Sequence, residues 1–539
     1  MEKILTGILL LFILQISSVQ ASVFYVDANS GLNSNSGLLG FPWLTIQQAA
    51  STAQAGDTVY VQAGTYSEKV TFNHSGTEDA PITFIGIGSV IIEEPANTIV
   101  WSGTFNINTK SYIRIQNFAI QNAYWFGIYL EASDHIYLEN NNTYNTGASG
   151  ISVWHSSYVY ASHNTVRKAC YQSLTTSNSQ ECISFSGVSN FEIDHNEVYE
   201  SGGSTNGGEG IDTKENCSNG KVYNNVVHDL IRLGIYVDSW DKILQQVDVY
   251  NNRVYNCSDG IAISSEDSGT VMNVNVYNNI TYSNGGFGII VSNYVKDGPR
   301  KNIAIMNNTV YNNGFGDGDP NWGGGIIVYS SHVSNISIFN NIVSSNDAMQ
   351  ISDNSGVASV VVNKNLIFGY KGLNWTGEVK GTNVIEANPL FVDVDGADNS
   401  IGDLDDDLNV TSSSPVINQG TNTNAPAFDF DNYERPAEGT VDIGAYEANS
   451  IPLAIRNGIA NTSVETLIQL YPNPNNGEFN VKVLKPVDSV EIFDLTGNKI
   501  QQYSVINANL LKISINESGL YLIRVSSGST NQIYKAIIY

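Results

Sequence analysis

The chain has 539 residues, with 52 Asp plus Glu against 25 Lys plus Arg, a formal net charge of −27 and four cysteines. That balance argues against nucleic acid as a partner, because phosphate binding needs a basic stripe. With 48 Gly, 29 Tyr and only 4 Met, the composition favours short strands between tight turns over long helices.

Met1-Glu2-Lys3 is charged, Ile4 to Ile16 is almost entirely apolar, and Ser17 to Ala21 is small and polar, the layout of an export signal over residues 1–21. The apolar run is shorter than the roughly 20 residues a spanning helix needs. Thr45 to Ala55 predicts a short amphipathic helix, with Ile46, Ala49, Ala50 and Ala53 on one side, that covers the open N-terminal end of the fold. Export permits disulfides among Cys170, Cys182, Cys217 and Cys257, with the pairing open; a zinc site is the weaker reading because no Cys-x-x-Cys occurs.

The strongest signal is an internal repeat. Asn117, Asn141, Asn164, Asn196, Asn225, Asn252, Asn279, Asn308, Asn341 and Asn365 recur every 23 to 33 residues in a similar setting. A second phase repeats one strand eight times: Gly127-Ile-Tyr-Leu-Glu131, Gly150-Ile-Ser-Val-Trp154, Cys182-Ile-Ser-Phe-Ser186, Gly210-Ile-Asp-Thr-Lys214, Gly234-Ile-Tyr-Val-Asp238, Gly260-Ile-Ala-Ile-Ser264, Gly288-Ile-Ile-Val-Ser292 and Gly325-Ile-Ile-Val-Tyr329. A period of this length made of strands and turns predicts an all-β, single-stranded right-handed parallel β-helix over 22–447. The Asn residues are expected at an inward turn, bonding from coil to coil. Beyond Asn365 the period fades. Ser414 to Ile417 and Val441 to Glu447 are expected to close the stack, with a linker at 448–466 and a small β-sandwich at 467–539.

In each repeated strand the second and fourth positions point inward and the third and fifth outward. The third positions read Tyr129, Ser152, Ser184, Asp212, Tyr236, Ala262, Ile290 and Ile327; the fifth include Glu131, Trp154, Lys214 and Asp238. Ile290 and Ile327 are expected to support, or to meet, another surface. Coils stand about 4.8 Å apart, which predicts Lys214 directly beneath Asp238 at salt-bridge range. Asp212 and Asp238 are the expected catalytic carboxyl pair, with Glu209 or Glu266 tuning or replacing one of them and Lys214 holding Asp238 ionised as the base. Their carboxyl separation, about 5 to 10 Å from strand geometry, leaves retention and inversion both open. Trp154, Tyr129, Tyr236, Trp240 and Glu131 are the expected substrate contacts, since flat rings cover the apolar faces of sugars at little entropic cost; Trp125 belongs to the same coils, and Trp322 lies in a loop expected to bulge from the stack.

Hydrolysis by paired carboxyls requires no cofactor. The competing chemistry, β-elimination on a uronate polymer, would use Ca²⁺ at Glu209, Asp212 and Glu215 with Lys214 or Tyr236 as base; Arg232 and Arg253 lie off the strand face and would have to curl in. A third reading is a non-catalytic glycan-binding protein. Asp393, Asp395 and Asp398, within seven acids over residues 393–407, are expected as a structural Ca²⁺ loop or plain acidic surface.

Two resemblances add to this. Tyr471-Pro-Asn-Pro-Asn475, Gly477, Asp494-Leu-Thr-Gly497 and Gly519-Leu-Tyr521 resemble the type A sorting domain of the Bacteroidetes type IX secretion system, which implies the secretion machinery as a partner and a secreted or outer-membrane surface location. Phe24-Tyr-Val-Asp27, Gly56-Asp57-Thr58, Gly64-Thr65-Tyr66, Gly76-Thr77 and Ala80-Pro81-Ile82-Thr83 are similar to the opening of secreted β-helix proteins, glycoside hydrolases and polysaccharide lyases among them. That resemblance implies a polysaccharide or oligosaccharide substrate; a monomer is expected. Asn206-Gly-Gly-Glu209 also resembles a Ca²⁺-binding motif of alginate and chondroitin lyases, which carry Arg where this chain has Asp212.

Overall fold

The computed structural model describes residues 21–539 except 97–98, 172–179, 203–206, 316–322, 370–378, 449–466, 472–476, 484, 494–498, 507–509, 516–518, 528–529 and 539. The export signal apart from Ala21, the linker apart from Ala448, Asn206 and Trp322 lie outside the described residues. The chain divides into two compact units, Met1–Leu453 and Ala454–Tyr539.

The first unit is a parallel solenoid. An 11-stranded sheet runs from Val70–Thr71 through Ile183–Ser186, Ile211–Lys214, Ile235–Asp238 and Ile261–Asp267 to Met349–Asp353, and a 24-stranded sheet makes the other walls. Each repeated strand pairs in parallel with its equivalent in the next coil: Ile183 stands opposite Ile211, Ile211 opposite Ile235, and Ile235 opposite Ile261. These isoleucines, with Phe185, Val237 and Ile263 two positions on, are fully buried in one continuous core. The glycine that opens the repeat is required by packing: a Cβ on Gly210 would lie 2.5 Å from the Gly234 carbonyl oxygen, and one on Gly234 would lie 2.2 Å from Val254.

The N-terminal end is covered by the expected helix, Ile46–Thr52, whose Thr45 cap accepts from Gln48 N–H. Ile46, Ala49 and Ala50 join the core.

The asparagine series forms a buried ladder. Asn225 is representative: its Nδ2 donates to the Ile193 carbonyl (2.9 Å) and to Asn252 Oδ1 (3.0 Å), while its own Oδ1 accepts from Asn196 N–H (2.9 Å). The same pattern links Asn141 to Asn365. Asn117 is out of phase. It occupies the left-handed position (φ +64°) that Asn140 fills one coil later, and Phe118 takes the inward place. The four cysteines are buried and none of them forms a disulfide.

The segment 400–447 does not plug the C-terminal end. It lies along the flank: Arg253 donates to the Asp406 carbonyl, Tyr282 to that of Asp403, and Asn307 to those of Asp442 and Gly444. The left-handed asparagines of successive coils expose amide donors along this corner, and the returning chain supplies the acceptors. Arg253 is thereby committed to this flank.

The second unit has a three-stranded antiparallel sheet (Ile468–Tyr471, Glu478–Val483, Leu510–Ser514) and a four-stranded one (Val487–Phe493, Lys499–Ile506, Gly519–Ser527, Thr530–Ile538). Phe479, Val481, Val490, Ile492, Ile523 and Val525 form a core shared by both sheets, a small β-sandwich.

Candidate active site

The outer face of the 11-stranded sheet is covered rather than solvated. Asp212, Tyr236, Ala262, Ile290 and Ile327 are all buried, although strand alternation turns them away from the solenoid interior. Residues at or just before the start of these strands fold across that face. Phe287, Ala348 and Met349 pack with Tyr236, Ala262, Ile290 and Ile327 in a second apolar cluster, so the two isoleucines meet a surface within their own chain.

At the upstream border of this cluster five carboxyls meet two cations. Asp212 lies opposite Ser184 and Tyr236 in the register, and Asp238 opposite Ser264. Lys214 is not paired with Asp238 as its strand position predicts. Its Nζ donates to Glu181 Oε1 at 2.6 Å and lies 3.8 Å from Asp212 Oδ2. The flexible lysine bends back over the sheet to Glu181, which is buried and also accepts from Ser184 Oγ at 2.7 Å. Glu181 is the residue missed in the sequence. It precedes Cys182 as Glu209 precedes Gly210, so both occupy the same place in consecutive coils.

Glu209 is held by Arg232, whose Nε and Nη2 lie 3.0 and 2.9 Å from Oε1. Arg232 does curl in, because Glu209 is otherwise a buried carboxylate without a cation. Glu209 Oε2 and Asp212 Oδ1 are buried with no hydrogen-bond partner. Tyr236 donates to Glu266 Oε1 at 2.6 Å, and Trp240 N–H donates to Asp238 Oδ1 at 3.1 Å.

Burial dominates the electrostatics. It pushes the Asp212 carboxyl well above the usual range; Lys214 opposes the shift, while Glu181, Asp238 and Glu209 add to it. Asp238 is likewise raised well above its ordinary value by burial and then by Glu266, against the Trp240 N–H and Lys214, so it is not poised as the ionised base. Burial also raises Glu209, with Glu181 adding to it, and raises Glu266, with the Tyr236 hydrogen bond opposing. Burial alone would lower Lys214, but Glu181 and Asp212 outweigh it and hold the ammonium charged. Burial is thus the common cause that raises Asp212, Asp238, Glu209 and Glu266.

Aromatic residues gather a few coils upstream. Tyr129 donates to Glu131 Oε2 at 2.9 Å and stacks on Phe126. Trp154 bonds Ser152 through its indole N–H and meets Trp101 edge to face at 5.6 Å. Trp101, absent from the expected contacts, also packs against Trp125 and Phe126 and leaves 41% of its surface exposed. Trp240 is 43% exposed at the turn after Asp238, away from that group.

The expected metal sets are not assembled. Glu215 stands past the end of its strand with φ +61°, and Glu209 is engaged by Arg232, so Glu209, Asp212 and Glu215 do not fit a Ca²⁺ site. In the acidic loop Asp398 converges with Asp403 and Asp405, whereas Asp393 and Asp395 stand outside that group.

With this geometry in place, comparison with known proteins is informative. Residues 24–225 match the family described as "Pel9A-like, right handed beta helix region", and residues 245–367 match "Right handed beta helix region". The chain is a right-handed parallel β-helix protein. The β-helix protein also carries, at residues 469–539, a match to "Secretion system C-terminal sorting domain", which implies secretion or display at the cell surface. It is 29% identical over 354 residues to the uncharacterized protein YwoF of Bacillus subtilis (strain 168), covering 58% of this chain and 74% of that one. Among solved structures it resembles pectate lyase Pel9A (15% identity, TM-score 0.49, covering 80% of this chain and 98% of the other). It also resembles XylC in complex with xylose (13% identity, TM-score 0.49, covering 79% and 98%).

Proposed function

We propose that this β-helix protein is a secreted enzyme that cleaves glycosidic bonds of an extracellular polysaccharide or oligosaccharide by carboxyl acid/base hydrolysis. The observation that carries the reading is the enclosed set of Glu181, Glu209, Asp212, Asp238 and Glu266 around Lys214 and Arg232. Burial favours the protonated form of Asp212 and Asp238 more strongly than that of Glu266, which supports an acid and a base in one site, as paired-carboxyl hydrolysis requires.

The roles follow from environment. The Asp212 and Asp238 pair, buried and mutually repelling, holds the proton delivered to the leaving oxygen. Glu266, half-buried at the rim and hydrogen-bonded by Tyr236, is the carboxylate that activates water or attacks the anomeric carbon. Lys214 and Arg232 limit the excess negative charge through Glu181 and Glu209. Trp101 and Trp154 supply the ring surface for further sugar units. The two bases β-elimination would use are both held protonated here: Lys214 by Glu181 and Asp212, Tyr236 by burial and by the charges of Asp238 and Glu266. That supports hydrolysis over elimination.

The test is turnover on a broad panel of plant and algal polysaccharides by wild type, Asp212→Asn and Glu266→Gln. Wild type is expected to release reducing ends, with both variants reduced roughly 100-fold or more. A wild-type chain that binds a polymer and never cleaves it would establish the binding-module reading instead.

A further inference from the structure

On the 24-stranded sheet, each coil turns a corner through one residue in the left-handed region. Asn140, Asn224, Asn251 and Asn278 fill that place with φ of +53° to +55°. Two adjacent coils carry histidine there instead: His163 (φ +56°) follows strand Ser157–Ser162, and His195 (φ +52°) follows strand Ser189–Asp194. Asparagine and histidine both tolerate this backbone conformation, so the turn itself does not require the exchange.

The two imidazoles stack with centroids 4.5 Å apart and planes 2° from parallel, and their Nδ1 atoms converge on one carboxylate. His195 Nδ1–H donates to Asp194 Oδ2 at 2.7 Å. Ser162, opposite Asp194 in the register, donates its single hydroxyl hydrogen to the same oxygen at 2.8 Å. Its oxygen therefore accepts from His163 Nδ1–H, also at 2.8 Å. Asp194 is buried, whereas both rings are exposed. One ligand atom from each of His163, Asp194 and His195 lies within 4.8 Å of the other two.

We propose that His163, Asp194 and His195 form a site for a divalent transition-metal ion of the Zn²⁺ type that ties two coils together. Two imidazoles and a carboxylate suit such an ion, while Ca²⁺ and Mg²⁺ take oxygen ligands. The short contacts around Asp194 open to about 3.3 Å, the edge of a tetrahedron with bonds of roughly 2.0–2.1 Å, by small rotations of exposed side chains. Each Nδ1 gives its lone pair to the ion and its hydrogen moves to Nε2, so both rings stay neutral. Asn224 Nδ2 lies 3.2 Å from His195 Nε2; a half-turn of that amide presents its oxygen to the new Nε2–H and fixes the ring. Water completes the coordination. The site is on another sheet from the acid cluster and does not depend on the chemistry assigned there.

Calorimetric titration of Zn²⁺ into the full chain tests it, with the protein prepared without a histidine tag. Ca²⁺ in large excess keeps Zn²⁺ from oxygen-only clusters such as Asp398, Asp403 and Asp405. His163→Asn and His195→Asn each remove one ligand and install the residue that neighbouring coils already carry at this corner, so the turn is kept. His135→Asn is the control: His135 bonds Asp134 in the same way but stacks between Tyr112 and Tyr158, not on a second histidine. The wild type and His135→Asn are expected to take up one Zn²⁺ per chain, with affinity at least about 10-fold weaker in His163→Asn and in His195→Asn. No uptake by the wild type, or uptake that either of those two variants leaves unchanged, would overturn the proposal. None of these outcomes touches turnover, by which the acid cluster is judged.

Discussion

Lys214 and Glu181 form the tightest ion pair of the candidate site, with Nζ 2.6 Å from Oε1 in a setting where the two side chains are 15% and 6% exposed. The pair joins adjacent coils and draws the ammonium toward Asp212, so one cation balances two buried acids. Lys214→Met leaves both without it. Breaking a buried pair on one side costs about 3–5 kcal/mol. The variant is expected to melt well below wild type at pH 8 and closer to it at pH 5, where protonation of the acids replaces the lost charge. Equal losses at the two pH values would show that the lysine acts by packing alone.

Asp212 and Asp238 should make the folded chain less stable as pH rises. Both have folded pKa values above the unfolded value near 4. Each therefore binds its proton more tightly in the native state, and stability is highest below that value and lost as pH climbs through the raised one. Asp212→Asn and Asp238→Asn, which cannot ionise, should raise the melting temperature at pH 8 while abolishing turnover. Thermal melts across pH 4 to 9 check the sign; a lower melting temperature at pH 8 would contradict it.

Tyr236→Phe removes the hydroxyl that donates to Glu266. That bond favours the ionised carboxylate, so its loss raises the Glu266 pKa. The acidic limb of the pH–rate profile should move to higher pH with the plateau largely retained. An unmoved limb would remove Glu266 from the base role.

The repeat made the solenoid readable because both of its periods report backbone requirements. Gly210 and Gly234 have no room for a side chain, and the asparagine ladder needs an amide that donates and accepts at once. Phase errors arose where neighbouring positions share a residue type: Asn117 and Asn141 read alike, yet one fills the left-handed position and the other the ladder. Asp212 and Asp238 were legible from strand position, and Glu209 and Glu266 from lying beside those strands in an acid-rich stretch. Glu181 lies two residues ahead of its strand, where outward alternation gives no instruction, and no acid on that strand drew attention to it. Its match to the place of Glu209 was the available signal. Burial of the outer face was invisible for a related reason: strand alternation separates inside from outside the coil, not protein from water.

Trp101 forms the exposed edge of the upstream aromatic group and meets the partly buried Trp154 edge to face. Aromatic contacts of this kind contribute about 0.5–1.5 kcal/mol beyond area burial, so Trp101→Ala should raise KM by roughly 3- to 10-fold with kcat little changed. Steady-state kinetics on a long and a short substrate checks this. A fall in kcat alone would place Trp101 outside the substrate path.

Hydrolysis is tested most directly by the chemistry of the products. Polysaccharide digested by the wild-type chain, separated and read by mass spectrometry and ultraviolet absorbance, should yield only saturated fragments that have gained water, with Asp212→Asn yielding none. Unsaturated, ultraviolet-absorbing fragments that Asp212→Asn fails to release would keep the site and contradict the reaction assigned to it.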